Sequence, residues 1–217
     1  LCEKRGISQS VLLRVQLDWP TEVKSVLGGS AITPFGLGVD DWKTINVHQH
    51  QNVHIKGLHC FQWGNILDLS QLESVWELTL SQCRKLALDL NIDLQIMDLG
   101  GGLGISYKQN GPELDFKDVH ALLKDLKTKH EIPEVWLELG RYTMANFGNY
   151  ATQIVDIKTV RGKDLLITEG GINHIARPAL TGEAFPCESL ATFTGESKLY
   201  NIHGPLCTAL DFLGEHE

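Results

Sequence analysis

Short apolar runs alternating with helix-period segments constrain this chain more than any other feature. The runs are residues 11–17, 55–61, 94–99 and 135–139. Between the second and third, Leu72, Val75, Trp76, Leu78, Thr79, Cys83, Leu86 and Leu90 recur at the spacing of one helix face, and Leu122, Leu123 and Leu126 repeat the pattern before the fourth. Strand, helix, strand at this spacing is the βαβ unit, with parallel strands and a right-handed connection. The predicted fold class is therefore α/β, built on a parallel sheet.

Three of the runs end on glycine or charge. They close as Gly57-Leu58-His59-Cys60-Phe61, as Asp98-Leu99-Gly100-Gly101-Gly102 with Gly104 following, and as Glu138-Leu139-Gly140-Arg141. The C-terminal ends of parallel strands are where α/β folds hold ligands. Glycines let backbone N–H groups converge on an anion, and Arg141 adds a guanidinium suited to phosphate. Glu138, read as the last residue of its strand, suits a protonated ring nitrogen, and a cationic ring is a strong electron sink. Together these features point to pyridoxal phosphate (PLP). Plainer roles stay open: a tight glycine turn, and a Glu138–Arg141 salt bridge at a helix start. Neither a P-loop nor a GxGxxG fingerprint is present.

After Gly148 the rhythm changes. Residues 150–160 alternate apolar and polar, Arg161-Gly162-Lys163-Asp164 turns, and residues 165–168 return as a hairpin, with irregular Gly- and Pro-rich sequence beyond. A boundary is expected at residues 146–148, separating 1–147 from 148–217. Cys207 lies in the second part, in Gly204-Pro205-Leu206-Cys207 with Asp211 four residues on. A thiol in a polar loop can donate a proton, although a buried structural cysteine is the commoner fate. Cys2, Cys60, Cys83 and Cys187 are read as structural.

A net charge of −8 argues against a nucleic-acid surface, and no apolar stretch is long enough to span a bilayer. Five cysteines without a CxxC pair fit the reducing cytoplasm. His48, His50 and His54 sit in polar, loop-like sequence and read as a solvated connector, so no metal site is expected.

The ordered set GLHCF, DLGGGLGISY, ELGRY, GGINHIARPAL and GPLCTALD resembles the fold-type III PLP-dependent decarboxylases, the family of ornithine, diaminopimelate and arginine decarboxylases. The resemblance covers nearly the whole chain. It implies the C-terminal half of a PLP-binding (β/α)₈ barrel over residues 1–147 and the start of a C-terminal β-domain over 148–217. It also implies a homodimer with shared active sites. Gly101 and Gly102 resemble the phosphate-binding glycines, Glu138 the pyridinium partner, and Gly140 and Arg141 the residues closing on phosphate. Arg177 resembles the arginine that holds a substrate carboxylate, and Cys207 the cysteine that reprotonates the product in the partner's site. Arg14, on the first run, is a candidate support for the cofactor pocket.

Several positions depart from the family pattern. Phe61 stands where a histidine covers the ring, and Trp63-Gly64 replaces a Gly-Ser whose hydroxyl binds phosphate. Thr208 and Thr181 replace the glutamate and tyrosine that recognise the far end of diaminopimelate. The pattern is closer to the branch acting on conjugated or carrier-protein-bound amino acids. No lysine has the family's Schiff-base context; Lys24, Lys43, Lys56 and Lys85 read as surface or loop lysines, so the first barrel strands are expected upstream of Leu1. Three functions follow from the resemblance: α-decarboxylation, a non-catalytic regulatory homologue, or an alanine-racemase-like activity.

Overall fold

The computed structural model describes residues 1–19, 31–108, 110–191 and 197–216. These fall into two compact units, Leu1–Ile105 with Pro112–Asn146, and Ser106–Gly111 with Phe147–Glu217.

The first unit runs α1 (Cys2–Arg5), β1 (Gln9–Gln16), β2 (Leu37–Gly38), α2 (Val39–Lys43), β3 (Val53–His59), α3 (Leu69–Asp89), β4 (Ile96–Asp98), α4 (Phe116–Lys129), β5 (Glu134–Trp136) and α5 (Gly140–Met144). Its strands form one parallel sheet in the order β2-β1-β3-β4-β5. The expected α/β class is therefore observed, with one strand more than the four apolar runs. β2 is only two residues long, too short to show a period.

The helices form where the pattern placed them. Asp68 caps α3, accepting the Gln71 N–H at 2.8 Å, and Asp115 caps α4, accepting the Lys117 N–H at 2.7 Å. Such caps satisfy donors that the first helical turn leaves without partners. Leu72, Trp76, Leu80, Cys83 and Leu86 of α3 bury one stripe against Leu58 and Met97 of the sheet. On the outer side Glu77 accepts hydrogen bonds from Lys129 (2.7 Å) and His130 (2.9 Å), tying α3 to the end of α4.

The second unit contains β6 (Ile154–Val160), β7 (Lys163–Thr168), α6 (Arg177–Thr181), β8 (Tyr200–His203) and β9 (Phe212–His216). The sheet order is β6-β7-β8-β9. The hairpin β6–β7 is antiparallel as expected, though it starts at Ile154 rather than residue 150. The region beyond it is less irregular than its composition implied. β8 pairs parallel to β7 and antiparallel to β9. Tyr-Asn-Ile-His has no run of branched residues to announce a strand, so its pairing partners, not its propensity, make it one.

Lysine placement corrects one reading. Lys43 pairs with Asp40 and Asp89 on the surface, and Lys85 is exposed on α3, but Lys56 lies half-buried within β3. Lys24 lies outside the described residues. His48 and His50 lie in turns, and His54 is exposed on β3.

Candidate functional site

Parallel register brings the ends of β3, β4 and β5 level. His59 pairs with Asp98, and Asp98 with Trp136. Beyond Asp98 the chain turns at Gly100, whose φ is 66°. Buried Asp98 accepts the Gly100 N–H at 2.8 Å, and the Gly100 carbonyl accepts the Glu138 N–H at 2.7 Å. A Cβ on Gly100 would lie 2.5 Å from Cβ of Phe61, and one on Gly101 would lie 2.7 Å from the Glu138 carbonyl oxygen. Glycine is thus demanded by close approach as well as by backbone angle.

This geometry gathers Phe61, Gly101 and Glu138, with Gly102 next along the turn. Glu138 is not the last residue of its strand, as the apolar run implied. β5 ends at Trp136, whose carbonyl accepts the Leu99 N–H at 3.0 Å, because the left-handed turn at Gly100 carries the neighbouring chain out of the ladder. Glu138 therefore stands in the connector to α5, its side chain 56% exposed. Gly140 opens α5 where an added Cβ would meet open space, and Arg141 follows it. Beneath the turn a void of about 10 Å³, lined by Phe61, Trp63, Gly101 and Gly102, has room for a single water and not for a cofactor.

Arg14 on β1 reaches the same neighbourhood. Its guanidinium donates to the Phe61 carbonyl at 3.4 Å and sits 4.7 Å from the centre of the Phe35 ring.

One residue of the site, His59, takes no role from the sequence motifs. His59 presents Nε2 to Glu138 Oε2 at 3.9 Å, and one ligand atom from each of His59, Asp98 and Glu138 lies within 4.8 Å of the others. Burial holds the imidazole below its ordinary pKa, outweighing attraction to Asp98 and Glu138, while the Arg14 charge pushes it lower still. The signal in the sequence was the position of His59 at the close of a strand. Its alignment with Asp98 depends on register between strands, which spacing along one strand does not reveal.

The second unit holds the two remaining candidates. Arg177 opens α6 and bonds Glu183 at 3.1 Å, with its guanidinium 5.5 Å from the Tyr107 ring centre and its Nε buried without a hydrogen-bond partner among the described residues. Cys207 is an exposed free thiol. Its loop is fastened by Asp211, which is 1% exposed and accepts N–H groups from Leu206 at 2.7 Å and Ile172 at 2.8 Å. By contrast Cys60 is buried, and burial pushes its thiol up to about 12.

An open parallel sheet that ends in a glycine turn, a carboxylate and an arginine is the frame of a cofactor-binding α/β domain. Residues 2–145 match the pyridoxal binding domain of the pyridoxal-dependent decarboxylases, and the chain belongs to that family. The family's cofactor is pyridoxal phosphate. Diaminopimelate decarboxylase of Aquifex aeolicus is 32% identical over 163 residues, 75% of this chain and 38% of that protein. The Haemophilus influenzae enzyme of the same name is 32% identical over 185 residues, 83% of this chain and 44% of that protein. The crystal structure of AQ1208 from Aquifex aeolicus superposes with a TM-score of 0.75 at 28% identity, covering 99% of this chain and 50% of that one. Helicobacter pylori diaminopimelate decarboxylase shares the fold with a TM-score of 0.78 at 20% identity, over 100% of this chain and 55% of that one. The chain thus spans about half the length, or less, of these relatives. Among the described residues no helix is long and apolar enough to cross a membrane.

Proposed function

We propose that this chain carries the PLP site of an amino-acid α-decarboxylase. The observation that supports it is the meeting of Phe61, Gly101 and Glu138 at the open ends of the parallel strands, in a member of the pyridoxal-dependent decarboxylase family. The residues fit the cofactor chemically. Glu138 offers an exposed carboxylate at the end of the sheet, Gly140 stands in open space, and Gly102 of the glycine turn is half-exposed, whereas Gly100 and Gly101 are buried against Phe61. In the proposed domain arrangement residues 1–147 are the C-terminal half of a (β/α)₈ barrel, and 148–217 begin the β-domain.

When bound, PLP supplies an electron sink for the pair left behind as CO₂ departs. Glu138 keeps the proton on the ring nitrogen, without which that sink weakens. Gly101, Gly102, Gly140 and Arg141 hold the phosphate, and Phe61 lends an aromatic face to the ring. Arg177 holds the substrate carboxylate. Cys207, acting in the partner's site of a homodimer, returns a proton to the α-carbon. Five free cysteines support a cytoplasmic setting.

The substrate is an amino acid whose far end is conjugated or borne on a carrier protein. Thr181 and Thr208 support this reading, because neither hydroxyl replaces the groups that would bind a distal ammonium. CO₂ release from free diaminopimelate, other free amino acids and amide-conjugated amino acids is the test, made in the native full-length polypeptide. Fastest turnover of a conjugated substrate is expected. Diaminopimelate as the best substrate overturns the narrower reading, and bound PLP without CO₂ release from any of them overturns the enzyme.

A further inference from the structure

At this site the Nε atoms of His59 and Trp63 are both buried without a hydrogen-bond partner among the described residues, and His59 Nε2 is the one that lies 3.9 Å from Glu138 Oε2. The His59 side chain is 14% exposed, and Nε2 is enclosed with no donor or acceptor within reach among the described residues. Buried polar atoms in folded proteins nearly always have partners, so an orphan at a ligand-facing strand end calls for a cause. Two carboxylates and one guanidinium face it. Asp98 is fixed by the Gly100 N–H that it accepts at 2.8 Å. Arg14 carries no acceptor to offer an imidazole N–H. Glu138 is the movable group: its side chain is more than half exposed, it stands beyond the last ladder bond of β5, and Oε2 is only 3.9 Å from Nε2.

A neutral imidazole has one N–H to give. Given to Oε2 of Glu138, it fixes the plane of that carboxylate and leaves Oε1 for a second partner. We propose that His59 is a positioning residue that holds Glu138 by one oxygen so that the other meets the ring nitrogen of the cofactor. This rests on the reading of Glu138 given above. The device parallels the outer-layer hydrogen bonds that orient a ligating side chain in metal sites. Here it gives an exposed carboxylate, otherwise free to turn in solvent, a single useful orientation.

The test compares wild type, His59→Leu, His59→Gln and Glu138→Gln in the native full-length polypeptide. His59→Gln keeps an N–H on a side chain of similar reach. His59→Leu is expected to lower kcat about tenfold with KM little changed, the size that one hydrogen bond to a charged group supports, and His59→Gln to recover most of it. The absorbance of bound PLP should move in His59→Leu in the same direction as in Glu138→Gln. Without cofactor, the ring ¹⁵N signals of His59 should show the proton on Nε2 and should shift in Glu138→Gln, with Glu77→Gln as a silent control. That last comparison decides the matter even if His59→Leu does not fold. Wild-type kcat and spectrum in His59→Leu, beside losses in Glu138→Gln, would overturn the positioning role and leave the cofactor reading standing. No effect in either variant would bring down both. Zinc retained by the cofactor-free wild type and lost in His59→Leu would make the cluster a metal site and also overturn the proposal.

Discussion

The two units are held together by different physics. Every member of the principal apolar core, from Val15 to Ile132, belongs to the first unit, where α3 and the sheet enclose residues such as Leu58, Leu80 and Met97 completely. In the second unit Ile202 is the one buried large hydrophobic among the described residues, and β6 leaves Ile154, Val155, Ile157 and Val160 exposed. That unit instead centres on polar groups. Asp211 gathers two loops, and the single O–H of Thr168 is shared between the carbonyls of Gly170 at 2.8 Å and His203 at 3.1 Å. The contrast separates two ways of placing functional residues. Glu138 is set by backbone hydrogen bonds on an apolar platform, whereas Arg177 and Cys207 ride on segments tied mainly by polar contacts.

The largest effect should fall on the apolar side. Glu138→Ala is expected to leave PLP bound but to reduce decarboxylation by about a hundredfold to a thousandfold, the scale seen when one aimed electrostatic partner is lost. Turnover near the wild-type rate would remove Glu138 from its role. Next, stability should respond unequally to equivalent apolar truncations. Leu80→Ala should cost about 2–5 kcal/mol, as for a filled core site, while Ile157→Ala should change stability by less than about 0.5 kcal/mol. Denaturant titration reads both, and equal costs would erase the contrast. Asp211→Ala should destabilise the second unit by about 1–3 kcal/mol for each N–H left without an acceptor. Hydrogen exchange should locate the loss around Ile172 and Leu206 and leave β3 and β4 protected.

The same contrast explains what could be read in advance. Periodicity announced α3 and α4 because an amphipathic helix writes its buried stripe at fixed spacing, as Leu72, Trp76, Cys83 and Leu86 do. The glycine turn and Glu138 were legible as motifs, since close backbone approach demands particular residue types. β2, β8 and β9 were not, because they are short and take their form from neighbours distant in sequence. The hub made by Asp211 and the facing of His59 toward Glu138 were hidden for the same reason: both arise from register and loop closure. Sequence places Glu138 at the end of a strand because its apolar run continues through Leu139, while the ladder itself ends at Trp136.

The most direct test of the central claim is an equilibrium titration of PLP into the cofactor-free native full-length polypeptide, followed by an absorbance band near about 420 nm. The expected result is saturable binding, one PLP per chain. Arg141→Ala should weaken it by the equivalent of about 1.5–3 kcal/mol, the worth of a hydrogen bond to a charged group. Gly101→Ala should weaken it as well, because its methyl group must displace the Glu138 carbonyl. Cys207→Ala should leave it unchanged. Binding that fails to saturate, or that responds to Cys207→Ala and not to Arg141→Ala or Gly101→Ala, would contradict a cofactor site built on the parallel sheet.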